Sequence, residues 1–218
     1  MAGSSRAERA EGMRGHDPER TKADIVTVAT EEFAENGLSG ARVDAIAERT
    51  RTSKRMIYYY FGSKEGLYLA VLERAYAEIR ALEAGLDLER CDPVEGLRRL
   101  IGQTFDSDEA HAAFIRLVTI ENIHKAKHLA GMESIRQINR RVIALIDDLL
   151  ARGRADGRFR TDVDAVDVHM MISALCFFRV ANRHTFGAIF DVDLFAPERR
   201  AKHRQLIADA VVRALAPT

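Results

Sequence analysis

Between Val43 and Phe61 the chain carries two apolar clusters, each too short for more than about two helical turns, with a polar break between them. Val43, Ile46 and Ala47 share one helical face, and Ile57 and Phe61 stand i, i+4. Thr50-Arg51-Thr52-Ser53 separates the clusters, and Ser53 is a good N-cap for the second helix. Two short helices, about 43–50 and 54–61, joined by a turn of about three to four residues make a helix-turn-helix. Neither can bury its apolar face alone, so the flanking helices must supply a small core.

The flanks carry the signals for such a core. Asp17-Pro18-Glu19 reads as a helix start, Ile25, Val28, Ala29 and Phe33 fall on one face, and Asn36-Gly37 stops the run. Ser63 caps a long fourth helix to about Ala84. Further helices are expected from Asp92-Pro93 to about Asp106, 108 to 130, 132 to 156, 162 to 185 and 197 to 215. No alternating strand, repeat or low-complexity tract occurs, and Gly and Pro number only 14 and 4. The expected fold is all-α with about nine helices: a disordered arm over 1–17, a helix-turn-helix domain over 18–64 with the motif at about 41–61, and a larger helical domain over 65–218.

Charge separates these parts. The formal net charge is zero, yet Arg42 to Lys64 holds six cations and two anions in 23 residues. Ser53-Lys54-Arg55 places two long cations at a helix N-terminus, which favours phosphate and is the end that enters the major groove in helix-turn-helix proteins. Tyr58-Tyr59-Tyr60 cannot all face inward, so at least one hydroxyl is free for a phosphate or a ring for a thymine methyl. Tyr58 also suits a core position, and Lys64 could be a plain helix-start cation, although that end of the dipole disfavours it.

The segment from Val43 to Tyr68, and above all its Ile57-Tyr-Tyr-Tyr-Phe-Gly-Ser-Lys-Glu-Gly-Leu67 core, resembles the DNA-binding domain of the TetR family of repressors. The resemblance spans roughly residues 20–70; beyond that the chain agrees only in helix number and length. It implies base contacts by Lys54, Arg55 and Tyr58, and phosphate contacts by Arg42, Ser53, Tyr59, Tyr60 and Lys64. Two departures stand out: Arg42 replaces a frequent hydroxyl residue, and Arg51-Thr52 replaces Gly-Val before the serine. The implied function is a cytoplasmic repressor that binds a palindromic double-stranded operator as a homodimer and is released by a small-molecule effector. An effector-independent regulator or activator fits the same residues.

Two features of the remainder bear on that expectation. Met170, Met171, Ile172, Ala174, Leu175, Phe177 and Phe178 surround the eighth helix, and Leu206, Ile207, Ala210, Val211, Ala214 and Leu215 stripe the last one opposite Arg199-Arg200-Lys202-Arg204. The last two helices therefore read as a homodimer interface, or as a deep monomer core. On the sixth helix, Phe114, Leu117, Glu121, His124 and His128 fall on one face that turns polar partway, with His169, Arg179, Asn182 and Arg183 as candidate partners on the eighth. A structural network, an effector pocket lined by Glu121, His124, His128, His169, Arg179 and Asn182, and a metal site using Glu121 and His124 all remain open.

Other classes find little support. A di-metal bundle enzyme needs Glu-x-x-His on two helices, and only Glu121-x-x-His124 occurs. No nucleophile–base pair, phosphate loop or dinucleotide fingerprint points to catalysis or to a cofactor. Cys91 and Cys176 have no metal-ligand spacing, the longest apolar run (Met170 to Phe178) is nine residues, and the N-terminus lacks the apolar stretch of a secretory signal.

Overall fold

Each expected cap closes a helix end. In the computed structural model, which describes residues 17–217, the Asp17 carboxylate accepts from the Glu19 and Arg20 N–H groups at the start of α1 (Pro18–Gly40). Ser53 accepts from Met56 N and opens α3 (Lys54–Phe61) after the short α2 (Val43–Arg49), and Ser63 accepts from Gly66 N to open α4 (Lys64–Ala84). Asp92 starts α5 (Pro93–Ala110), followed by α6 (Ala112–Ile123) and α7 (Glu133–Ala155). A capping box of Asp164 and Asp167 starts α8 (Ala165–Ala181), and α9 (Arg183–Phe190) and α10 (Pro197–Ala214) complete the chain. Apart from Asp17, the expected N-terminal arm lies outside the described residues.

The fold is all-α, with ten helices and no strand among the described residues. The count exceeds nine because the eighth expected helix bends by 66° at Asn182, whose side-chain amide donates to the Phe178 carbonyl and ends α8. The sixth is shorter than expected: it stops at Ile123, and Lys125 and Ala126 take positive φ of 59° and 55°. No single helix among the described residues is long and apolar enough to cross a membrane.

Two buried clusters organise the packing. One joins Ile25, Phe33, Ile46 and Ile57 of the first three helices to Leu67 and Tyr68 of α4, and continues into Phe114, Ile115 and Leu117 of α6. The other gathers α5, α7, α8 and α10 around Phe105, Ile146, Val168 and Val211. The first cluster crosses residue 64, because the start of α4 completes the core that α2 and α3 cannot form alone. α4 also packs on α7, so one helix belongs to both halves.

Gly37 sets the approach to α2. It breaks α1 with φ 64° and ψ 174°, a conformation open in practice only to glycine, and the Arg42 N–H then reaches the Glu32 carboxylate at 2.9 Å. Gly37→Ala should lower stability by about 1–3 kcal/mol in a urea titration. No atom lies within 4 Å of the added Cβ, so the loss comes from the backbone alone; an unchanged midpoint contradicts this account.

Candidate nucleic-acid interface and core cavity

The turn between α2 and α3 is held by backbone. Thr50 caps α2, Thr52 N–H donates to the Ala47 carbonyl at 3.0 Å, and Arg51 between them has φ 51°. That is the left-handed position where glycine carries no Cβ penalty, which gives the Arg51 departure a physical meaning. With Ile46 and Ile57 fully buried beneath, α3 has one fixed outer face.

That face carries the expected residues. Arg42, Ser53, Lys54, Arg55, Tyr58 and Tyr59 are exposed, with Tyr59 at 76% and Tyr58 at 38%, so Tyr58 is not a core residue. Arg42 and Arg55 have no side-chain ion pair or hydrogen bond among the described residues. Lys54 meets Asp44 at 3.1 Å in an exposed pair, and Arg49 pairs with Glu31. Lys64 donates to the Ser39 carbonyl at 3.2 Å, which gives its ammonium a partner at the N-terminus of α4. Tyr60 is half-buried, edge-on to Tyr59, with the Lys22 ammonium 5.6 Å from its ring centre. Lys22 did not stand out in the sequence because α1 brings it to the tyrosines only in the fold.

The six residues expected to line a pocket do not converge. Glu121, 1% exposed, accepts from the Tyr68 hydroxyl at 2.8 Å and from the His128 N–H at 3.2 Å, and its carboxylate lies 2.8 Å from His128 Nδ1. These bonds pull the chain back after Ile123, so His128 belongs to a turn and His124, the C-cap of α6, is exposed; the one-face reading fails here. Burial and the adjacent carboxylate hold the Tyr68 hydroxyl well above its ordinary pKa. Arg179 pairs with Glu109 at 2.6 Å and lies between the Phe105 and Phe195 rings, not near Glu121, and Arg183 stacks on Phe195. Asn182 closes α8. Among the described residues no three His, Cys, Asp or Glu side chains gather as metal ligands.

His124 borders an open space of about 450 Å³ between α1, α6 and α9, and His169 reaches a different cavity, deeper in the larger helical part. This space of about 490 Å³ lies between α4, α5, α6, α7, α8 and the turn after α6. Tyr76, Phe114, Leu129 and Ile172 are among its apolar walls, and Arg80, Glu83, Asp108, Arg136, Asn139 and His169 are its larger polar residues. Burial, with Arg80 nearby, lowers the His169 pKa, and burial raises that of Glu83 against the opposing effect of Arg80. Arg80, Glu83 and Asp108 interrupt apolar stripes on α4 and α5, a signal present in the sequence but indistinguishable there from ordinary surface charge.

Known families match both parts. Residues 25–71 match the model of the bacterial regulatory proteins of the tetR family, and residues 93–211 match the tetracyclin repressor-like C-terminal domain. The chain belongs to the TetR family. It is similar to the HTH-type transcriptional repressor NicS of Pseudomonas putida, 33% identical over 204 residues that cover 94% of this chain and 96% of the relative. The HTH-type transcriptional repressor SCO4008 of Streptomyces coelicolor is 33% identical over 165 residues, covering 75% and 80%. The solved transcriptional regulator SCO4942 of Streptomyces coelicolor superposes with a TM-score of 0.67 at 27% identity, covering 90% of this chain and 99% of that one. This TetR-family chain is thus a helix-turn-helix regulator of transcription, of a family whose members bind DNA operators and dimerise, and not an enzyme.

The Glu121 network yields a direct test. Tyr68→Phe removes one donor from a buried carboxylate and should cost about 1–3 kcal/mol in a denaturant titration. His124→Ala, at an exposed cap with no bond to Glu121, should stay within about 0.5 kcal/mol of the parent. The reverse order would return His124 to the network.

Proposed function

We propose that this TetR-family protein is a cytoplasmic homodimeric repressor that grips a palindromic operator through α3 and is released when a small molecule enters the cavity among α4, α5 and α8. The observation that carries this reading is the placement of α4. It begins with Lys64 beside the DNA-reading helices and runs past Tyr68 to Arg80 and Glu83 in the cavity wall. A molecule that binds the cavity better in one position of α4 shifts the population of DNA-competent dimers.

Arg55, unpaired and exposed near the start of α3, together with Lys54 and Tyr58, contacts bases; Arg42, Ser53, Tyr59, Tyr60 and Lys64 hold phosphates. Ser53 is already spent as a cap, so its contribution to DNA comes through the helix end it orders.

The surfaces of α8 and α10 support the dimer. Val166, Met170, Ala174 and Phe178 form an exposed apolar stripe at i+4 spacing on α8, with Leu206 and Ala210 exposed on α10, which packs against α8. Ile207, Val211 and Leu215, expected on the interface side, instead face the protein's own core, and Phe177 is half-buried at the cavity. Arg200 and Arg204 pair with Asp106 of α5. A two-fold axis beside α8 and α10 lets each stripe cover its mate.

Operator binding followed by fluorescence anisotropy, using palindromes found upstream of the gene, tests the DNA face. Arg55→Ala should lose about 1–3 kcal/mol on the operator and little on random DNA. Arg42→Ala should weaken both alike and reduce the salt slope by about 0.9. Equal losses for Arg55→Ala on the two DNAs would assign Arg55 to the backbone.

Met170→Glu places a charge in the apolar stripe and should yield monomer by light scattering with an unchanged far-ultraviolet spectrum. A dimer that persists would move the interface off α8.

A further inference from the structure

The polar side of the cavity has a feature that release by some small molecule leaves unexplained. Asp108 stands on α5 at 5% exposure and lines the cavity. No hydrogen bond or ion pair reaches its carboxyl group among the described residues. Burial pushes its pKa up to about 7, Glu83 adds to the rise, and Arg80 and Arg179 oppose it. An unpartnered buried carboxylate weakens a fold, and one that lines an open cavity is available to pair with a ligand.

Charge and shape narrow the ligand class. Arg80 is already engaged by Glu83 at 2.5 Å, while its Nε is buried without a partner. His169 is held toward the neutral form. Arg136, the other cation of the lining, is engaged by Glu133 at 3.5 Å and by the Ala130 carbonyl at 2.7 Å, so Asp108 is the charged group of the lining that no direct partner reaches. The same lining has aromatic walls, with Tyr76 and Phe114 edge to face at 5.0 Å and Phe177 among them. A carboxylate ligand seated at Asp108 would face a like charge. A protonated nitrogen would meet an acceptor and ring faces that also attract cations.

We infer that the effector is an aromatic amine whose protonated nitrogen pairs with Asp108 and whose ring lies among Tyr76, Phe114 and Phe177. This rests on the reading of the cavity as the effector site. Because Asp108 is on α5 and its neighbours Arg80 and Glu83 are on α4, such a ligand acts on the position of α4, the helix on which the proposed release depends.

The test uses the full chain and three indoles that differ only at the polar end: tryptamine, tryptophol and indole-3-acetate, titrated by calorimetry at pH 7.5. Tryptamine should bind at least about tenfold more tightly than the other two, a difference of about 1.4 kcal/mol, and Asp108→Asn should erase that margin. Ser173→Phe, which fills the cavity from α8, should abolish binding of all three. If Ser173→Phe abolishes binding while tryptamine has no advantage, or keeps it in Asp108→Asn, the amine assignment falls and the cavity reading stands. If Ser173→Phe leaves binding intact, the cavity reading itself falls. Absence of tryptamine binding at millimolar concentration also overturns the assignment.

A melt needs no ligand. The Asp108 pKa is higher in the folded state than its ordinary value of 3.8, so the destabilisation is complete above pH 7 and fades as pH falls toward 4. Arg80 and Glu83 of α4, Arg136 of α7, and His169, Cys176 and Arg179 of α8 are the titratable or charged groups around it. Asp108→Asn should raise the melting temperature at pH 8 and raise it clearly less at pH 5. A lower melting temperature at pH 8 would make Asp108 structural and overturn the inference.

Discussion

A carboxylate buried as deeply as Glu121 costs several kcal/mol unless its lone pairs are filled. Here they are filled from three places: the Tyr68 hydroxyl on α4, and the ring and backbone of His128 in the turn after α6. The consequences spread outward from that carboxylate. It holds the start of α4 against α6, and hence the helix-turn-helix core against the larger helical body. It also ends α6 early, because His128 can reach Glu121 only if the chain reverses at Lys125 and Ala126. The reversed segment then supplies Ala126, Leu129 and Met132 to the cavity wall. One hydrogen-bonded carboxylate thus fixes both the seat of the DNA-reading helices and part of the space proposed for the effector.

The DNA face is arranged differently, from contacts that are weak because they lie in solvent. Lys54 with Asp44 and Arg49 with Glu31 are exposed pairs, of a kind that contributes about 0–1 kcal/mol. Such pairs yield to a phosphate at little cost, whereas the ion pairs deeper in the molecule, such as Arg179 with Glu109 between two aromatic rings, do not. The zero net charge is consistent with this division. An excess of four cations lies between Arg42 and Lys64, which gives general attraction to polyanions a place on the proposed DNA face.

Features encoded locally were legible in the sequence. The caps Asp17, Ser53, Ser63 and Asp92 and the break at Asn36-Gly37 act within a few residues, and each closes or bends a helix at the place read from the chain. Features that depend on distant partners were not. Glu121 finds Tyr68 across 53 positions and Arg179 finds Glu109 across 70, so neither the early end of α6 nor the true partner of Arg179 follows from helical spacing. The stripe on α10 shows the same limit. Periodicity marked Ile207, Val211 and Leu215 as apolar, but only packing against α5 and α8 shows that they face inward while Leu206 and Ala210 face out. Polar residues of the cavity were the least visible, because Arg80, Glu83 and Asp108 look like surface charges until the helices around them are assembled.

These constraints meet in α4. Tyr68 pins it near one end, and Arg80 stands about 18 Å further along the axis, at about 1.5 Å per residue. Lys64 lies only about 6 Å to the other side of that pin. On the release reading, a displacement at the cavity end is therefore reduced, not magnified, by the time it reaches α3, and a sliding motion would barely disturb a single DNA contact. A rotation is different. Two recognition helices must enter successive major grooves about 34 Å apart, so a small tilt of each module about Tyr68, doubled by the two-fold axis, changes the spacing that the DNA demands. The Glu121 bonds then have a second role beyond stability. On that reading they hold the pivot, and movement at Arg80 and Glu83 would be expressed as tilt of the DNA-reading module and not lost as local slippage between α4 and α6.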